Sequence, residues 1–184
     1  MGVSEFNMNS LQMEIALANY FNPHRNLIVP NVWWGMGLNH ECDLMIMTRS
    51  GYIYEVEIKT SKADLVRDLK KPHGHGDNRI RKLYFCIPEL IFDECQNLIP
   101  ERSGIILLRE EGDSPGYCYK KREAKTNLVP PLDARAREKL YQLAAMRVWT
   151  LKKTIRTMQN AQNVDLQKCS SRGFYSGNGT NYRR

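Results

Sequence analysis

Hydrophobic and polar positions divide this chain into short periodic blocks separated by turn residues. Leu11, Ile15, Ala18 and Phe21 recur at helical spacing over residues 9–21, and Pro23 closes that block. Leu27 to Pro30 is an apolar run of strand length. From Asp43 to Lys59, Val, Ile, Leu, Met and Tyr alternate on both sides of Arg49-Ser50-Gly51, the pattern of a hairpin. Ser61-Lys62-Ala63-Asp64 resembles a capping box and opens a helix from about Lys62 to Lys71, with Leu65, Val66 and Leu69 on its inner face. Pro72-His73-Gly74-His75-Gly76-Asp77 ends it. A strand over Leu83 to Ile87 stops at Pro88, and a short helix follows over 91–98. Gly104 to Leu108 and Tyr117 to Lys121 form two further strands, joined by the acidic turn Glu110-Glu111-Gly112-Asp113. Beyond Pro130-Pro131 the spacing predicts a long helix, about Asp133 to Gln159, striped by Leu140, Ala144, Val148, Leu151, Ile155 and Met158.

The hairpin carries charges where a sheet is normally apolar. A three-residue loop with Gly51 in the left-handed position pairs Thr48 with Tyr52 and, continued, Asp43 with Glu57. A two-residue loop at Ser50-Gly51 would pair Asp43 with Ile58 instead. In the first register Asp43, Met45, Met47, Ile53, Glu55, Glu57 and Lys59 share one face, and Leu44, Ile46, Tyr54, Val56 and Ile58 the other. Like charges facing each other on a ladder repel, so an Asp43–Glu57 pair implies a divalent cation between them. Carboxylate oxygens are the hard ligands that Mg²⁺ or Mn²⁺ takes, and the Ile58 carbonyl could add to the shell. Such an ion would activate a water and offset charge on an attacked phosphate. Lys59, on the same face and ~6.6 Å beyond Glu57, would orient that water or stabilise the transition state. Glu14 sits on or beside the first helix's stripe and is a fourth carboxylate for the same face, or else a flanking solvated residue.

Composition narrows the class. The 184 residues, 42% hydrophobic, suit one domain with a core and an extension. No run reaches the ~20 apolar residues of a membrane span. The N-terminus lacks a basic segment leading into an apolar core, so no secretory signal is expected and the chain is read as cytoplasmic. The five cysteines contain no Cys-x-x-Cys pair and read as reduced thiols. His40-Glu41-Cys42 resembles the His-x-Glu of zinc deaminases, but no Pro-Cys-x-x-Cys completes it, so it is set aside. The net charge of +7 comes from the C-terminal fifth: residues 147–184 hold eight Lys or Arg and one acid, against nineteen of each sign before them. Such an extension either binds phosphate backbones or is merely solvated.

At Asp43 and Glu57-Ile58-Lys59 the chain resembles the PD-(D/E)XK nuclease superfamily, with Cys42 in place of the motif's proline. Over about residues 12–110, Pro30-Asn31-Val32, His40-Glu41-Cys42-Asp43-Leu44, Glu55-Val56-Glu57-Ile58-Lys59, Ser61-Lys62-Ala63-Asp64-Leu65 and Leu83-Tyr84-Phe85-Cys86-Ile87-Pro88 are similar to the MmcB-like DNA repair proteins and related phage or prophage sequences. The resemblance implies an α/β fold: a restriction-endonuclease-like mixed β-sheet flanked by helices, with a helix–strand–strand–strand–helix–strand core, here followed by a long C-terminal helix. It implies Asp43, Glu57, Lys59 and Glu14 as catalytic residues. The metal ligands would be Asp43, Glu57 and Glu14.

Residues 59–82 contain eight Lys or Arg and three Asp. Lys62, Lys70, Lys71, Arg79, Arg81 and Lys82, with His73 and His75, follow directly on the Glu-x-Lys strand and are expected to hold DNA phosphates near the metal; otherwise they are a solvated helix and loop. The expected organisation is a nuclease-like domain over 1–130, a helix over 131–162 and a basic, disordered tail over 163–184. The long helix offers a surface for a homodimer. Three functions compete: a metal-dependent deoxyribonuclease, a nuclease-like module that binds DNA without cutting it, and an interaction protein whose carboxylates pair internally with Lys or Arg.

Overall fold

The computed structural model describes residues 9–33, 36, 38, 40–71, 79–111 and 114–172. The chain divides into two units, Met1–Ala144 and Ala145–Arg184. In order, the elements are α1 (Ser10–Phe21), β1 (Leu27–Val32), β2 (Cys42–Met47), β3 (Ile53–Ile58), α2 (Lys62–Leu69), β4 (Ile80–Pro88), a 3₁₀ turn (Glu89–Ile91), α3 (Phe92–Cys95), β5 (Gly104–Glu111), β6 (Ser114–Arg122) and α4 (Ala134–Arg172). The strands form one sheet in the order β1-β2-β3-β4-β5-β6. β1, β2 and β3 are antiparallel, β3 to β5 are parallel, and β6 returns antiparallel to β5. Parallel neighbours require a crossover; α2 occupies the first and the 3₁₀ turn with α3 the second. This is an α/β fold, a mixed sheet flanked by helices with a long C-terminal helix, as expected.

The three-residue loop sets the hairpin register. Thr48 N–H donates to the Tyr52 carbonyl at 2.9 Å and Gly51 N–H to the Thr48 carbonyl at 2.8 Å. Gly51 has φ of +82°, which a side chain would strain. Leu44 then pairs with Val56, Met45 with Glu55, Ile46 with Tyr54 and Met47 with Ile53. The two-residue alternative, which would have shifted every pairing by one, does not occur.

Both faces of the sheet are covered. Leu44, Ile46, Val56, Ile58, Tyr84, Cys86 and Ile106 pack with Met13, Ala16 and Leu17 of α1. On the opposite face two apolar clusters form. Met45, Met47 and Ile53 join Met36, Leu132, Leu140 and Leu143, while Phe85, Ile87, Ile105 and Leu107 join Leu65, Cys95 and Ile99. The stripe expected on α1 is corrected: Leu11 and Ile15 are exposed, and Met13, Ala16 and Leu17 are buried. Apolar residues surround α1 on most sides, so spacing alone did not single out the face that meets the sheet. Asn9 caps the helix by a reciprocal exchange with Gln12: Asn9 Oδ1 accepts from Gln12 N–H at 3.0 Å, and Gln12 Oε1 accepts from Asn9 N–H at 2.9 Å.

α4 is longer than expected. It crosses residue 162 and continues to Arg172, because residues 163–172 contain neither Gly nor Pro and the first breaker is Gly173. Leu140 and Leu143 are buried, but in the second unit Val148, Leu151, Ile155 and Met158 are exposed. Among the described residues, therefore, the stripe predicted over α4 is buried only at its start.

Candidate functional site

The site forms where β2 and β3 separate. Hydrogen-bonded pairs recur every second residue from Thr48–Tyr52, which would direct Ile58 N–H to the Cys42 carbonyl. The ladder instead ends at Leu44–Val56, and Ile58 N–H donates to Asp43 Oδ2 at 2.8 Å. Across β2 on the other side, Asn31 lies between the Pro30–Leu44 and Val32–Cys42 pairs, level with Asp43. Its φ of +53° is one that Asn tolerates better than most residues.

Past this split, the side chains of Asp43, Glu57 and Lys59 converge as the alternation predicts. The Lys59 ammonium lies 2.7 Å from Glu57 Oε2, 3.3 Å from Asp68 Oδ2 and 3.6 Å from Asp43 Oδ2. Asp43 also accepts from the main chain of Ile58, and Lys59 brings a positive charge among the carboxylates. Burial by itself would push the Lys59 pKa down; Glu57, Asp43 and Asp68 outweigh it and hold the pKa well above the ordinary lysine value. Lys59 is therefore a fixed charge near neutral pH and not a base.

Glu55, Glu57, Lys59, Asp68 and His40 are respectively 0, 2, 4, 4 and 5% exposed, so the polar strip is interior. Met45 on β2 and Leu83 on β4 flank Glu55, and Phe85 flanks Glu57. His40, from the segment leading into β2, brings Nε2 against Glu55 Oε1. His40, Glu55 and Glu57 each offer a ligand atom within 4.8 Å of the others, so this buried cluster could hold a metal ion. The negative field there is felt next door: burial, then Glu55, Glu57 and Asp43, raise the Cys42 thiol pKa well above its ordinary value. Glu14, on α1, is half-buried; burial and then Asp43 raise its pKa, which places it within electrostatic reach of the site's outer carboxylate.

Two of these residues escaped the sequence reading. Asp68 lies three residues after Leu65 and beside Leu69, on the helix's apolar face, where a carboxylate is out of place; that spacing was the available signal. His40 appeared in a motif that was set aside and in a stretch of the MmcB-like resemblance, in neither case as a site residue, and its partner Glu55 is fifteen residues away.

The basic residues do not gather at one place. Lys71 reaches Asp68 Oδ1 at 2.5 Å and so joins the site. Lys62 pairs with Glu94 at 3.3 Å on the surface, and Lys70 is exposed. Arg79 lines a cavity of about 570 Å³ with Met36, Asp133, Arg135, Glu138 and Lys139. The Arg81 guanidinium lies 3.7 Å over the Tyr52 ring, and Lys82 bonds Glu123 at 2.8 Å. Lys82 pairs with Tyr54, five strand positions or ~16 Å from the level of Lys59. Adjacency in sequence to the Glu-x-Lys strand thus does not bring Arg81 and Lys82 to Lys59, because α2 carries the chain back to the other end of the parallel pair. His73 and His75 lie outside the described residues. Among the described residues no helix is long and apolar enough to cross a membrane.

No family model matches the chain, and no curated protein matches it. Among solved structures, it is similar to the SPO1766 protein of unknown function from Silicibacter pomeroyi, with a TM-score of 0.59 and 19% identity over 84% of this chain and 96% of that one. That likeness shows the fold alone.

Proposed function

We propose that this protein is a metal-dependent nuclease hydrolysing phosphodiester bonds in DNA, with its reaction centre at Asp43, Glu57 and Lys59. The observation that carries the proposal is the convergence of three carboxylates on one buried ammonium at the point where two strands part. The element order α1-β1-β2-β3-α2-β4 agrees with the core that the PD-(D/E)XK resemblance implies, and the resemblance to MmcB-like repair proteins points to DNA repair as the biological setting. Asp43, 34% exposed at its side chain, opens the centre to solvent. The oxygen donors of Asp43 and Glu57 suit Mg²⁺ or Mn²⁺ with waters completing the shell, and Glu14, within the field of Asp43, is a further carboxylate for that ion.

A divalent ion held by Asp43 and Glu57 would activate a water and offset the negative charge of the attacked phosphate. Asp43 is held for this role by the Ile58 N–H, and Glu57 by Lys59. Lys59 retains its proton and so contributes positive charge toward the developing phosphorane oxygens. Asp68 orients the ammonium from the helix side, and Lys71 offsets Asp68. Exposed Lys62 and Lys70, on the helix after Lys59, are suited to backbone phosphates.

A panel of single-stranded, duplex, nicked and branched DNA with Mg²⁺ or Mn²⁺ tests this. Cleavage is expected from the wild type and is expected to disappear in Lys59→Ala and Asp43→Asn. Intact DNA throughout, with folded protein and adequate metal, would refute it. One observation favours a second reading, a nuclease-like module that binds DNA without cutting. Arg81 and Lys82 lie a strand's length from Lys59, so a backbone held there is not delivered to Asp43. That reading predicts salt-dependent DNA affinity unchanged by Lys59→Ala.

A further inference from the structure

We infer that His40, Glu55 and Glu57 form a second metal position, selective for a first-row transition dication such as Mn²⁺ or Zn²⁺ over Mg²⁺. It shares Glu57 with the reaction centre and to that extent rests on the proposed function. Three features of the cluster support the assignment.

The first is the donor set. Two carboxylates and one imidazole are a mixed oxygen and nitrogen set. Imidazole suits Mn, Fe, Zn and their neighbours, whereas Mg²⁺ takes oxygen. The second is enclosure. Mg²⁺ sheds water reluctantly and usually keeps several waters. All three side chains here are at most 5% exposed, with Met45, Leu83 and Phe85 paired alongside Glu55 and Glu57. An ion that accepts protein ligands in place of water is favoured. The third is spacing. Ligands at ~2.1 Å from one ion stand roughly 3 to 4 Å apart. The three donor atoms already lie within 4.8 Å of one another, so side-chain adjustments of about an ångström or less close the shell.

The two positions then divide by environment. The Asp43 side is open, oxygen-only and able to admit a hydrated ion and a phosphate. The His40 side is enclosed, and its role is to hold Glu57 and the end of β3 in place. The backbone supports the division: Glu55 and Glu57 alternate onto the same face of β3, and His40 reaches them from the segment that leads directly into Asp43.

The experiment uses the full chain and Mn²⁺ as the probe. The chain has four histidines. In the variant carrying His24→Asn, His73→Asn and His75→Asn, His40 is the one imidazole left. With one equivalent of Mn²⁺, electron spin echo modulation of this variant is expected to show ¹⁴N coupling from a coordinated imidazole. The coupling is expected to survive a tenfold excess of Mg²⁺ and to disappear with Zn²⁺. Adding Glu55→Gln is expected to weaken Mn²⁺ binding at least about tenfold. Mn²⁺ bound without nitrogen coupling in the sole-histidine chain, or coupling displaced by the Mg²⁺ excess, overturns the inference. The nuclease reading is tested apart from it: Lys59→Ala abolishes cleavage if that reading holds, while nitrogen coupling is read without DNA.

Discussion

Replacing Lys59 with methionine removes the ammonium and keeps an apolar stem of matching shape up to Cε. Glu57, Asp68 and Asp43, at 2.7, 3.3 and 3.6 Å from that ammonium, are then left as buried or half-buried carboxylates with their shared cation gone. Removing one partner of a buried ion pair typically costs about 3–5 kcal/mol. Protonation limits the loss. A carboxyl with an ordinary pKa of about 4.3 takes a proton at pH 7 for about 1.36 × 2.7, or about 3.7 kcal/mol. The expected destabilisation without metal is therefore about 3–4 kcal/mol at pH 7. The sign with pH follows. In the variant one carboxyl has a folded pKa raised above its unfolded value, so its stabilising proton is fully bound at low pH and is lost as pH rises. Going from pH 7 to pH 5 should shrink the difference from wild type by about 2–3 kcal/mol. Urea denaturation in chelator, followed by tryptophan fluorescence at both pH values, measures it. A difference below about 1 kcal/mol at pH 7, or one that does not change with pH, would mean that Lys59 does not neutralise this cluster.

Other expectations concern the scaffold. Gly51→Ala strains the loop that sets the hairpin register, since Gly51 has φ of +82° and an added Cβ would lie 2.1 Å from an Arg137 guanidinium nitrogen. A loss of about 1–2 kcal/mol is expected in thermal denaturation, and an unchanged melting temperature would contradict the register argument. Glu123, despite burial that opposes it, is held down to about 2 by Lys120, Lys82 and Tyr84. Its folded pKa lies below the ordinary glutamate value of 4.5, so its contribution is present above that value and fades as pH falls toward 2. Glu123→Gln should therefore flatten the acid limb of a stability profile, and an identical acid limb would count against the network. Leu151→Ala and Ile155→Ala, at exposed α4 positions, should change the stability of Met1–Ala144 by less than about 0.5 kcal/mol in chemical denaturation.

Several features of this protein were legible in its sequence because they depend on short-range geometry. Strand alternation is local, so the two faces of residues 43–59 and the convergence of Asp43, Glu57 and Lys59 followed from spacing plus one glycine that permits positive φ. The individual helices and strands followed from blocks whose periods differ and whose ends carry Pro, Gly or a cap, whereas the mixed sheet they build was implied only by the resemblance to the PD-(D/E)XK superfamily. Other features depended on what packs against what. Met13, Ala16 and Leu17, not Leu11 and Ile15, face the sheet because α1 is apolar on several sides and only contact selects one. Asp68 enters the site because α2 packs through Leu65 on β4 and β5, which brings its carboxylate within 3.3 Å of the Lys59 ammonium. His40 meets Glu55, fifteen residues further along the chain, only in the folded structure. Arg81 and Lys82 leave the site because a parallel crossover returns the chain to the opposite end of the sheet. Local sequence thus set which side chains share a face, through the fixed period of the backbone. Only the tertiary structure decided which distant groups share a site, because desolvation and charge act between whichever groups the fold brings within a few ångströms.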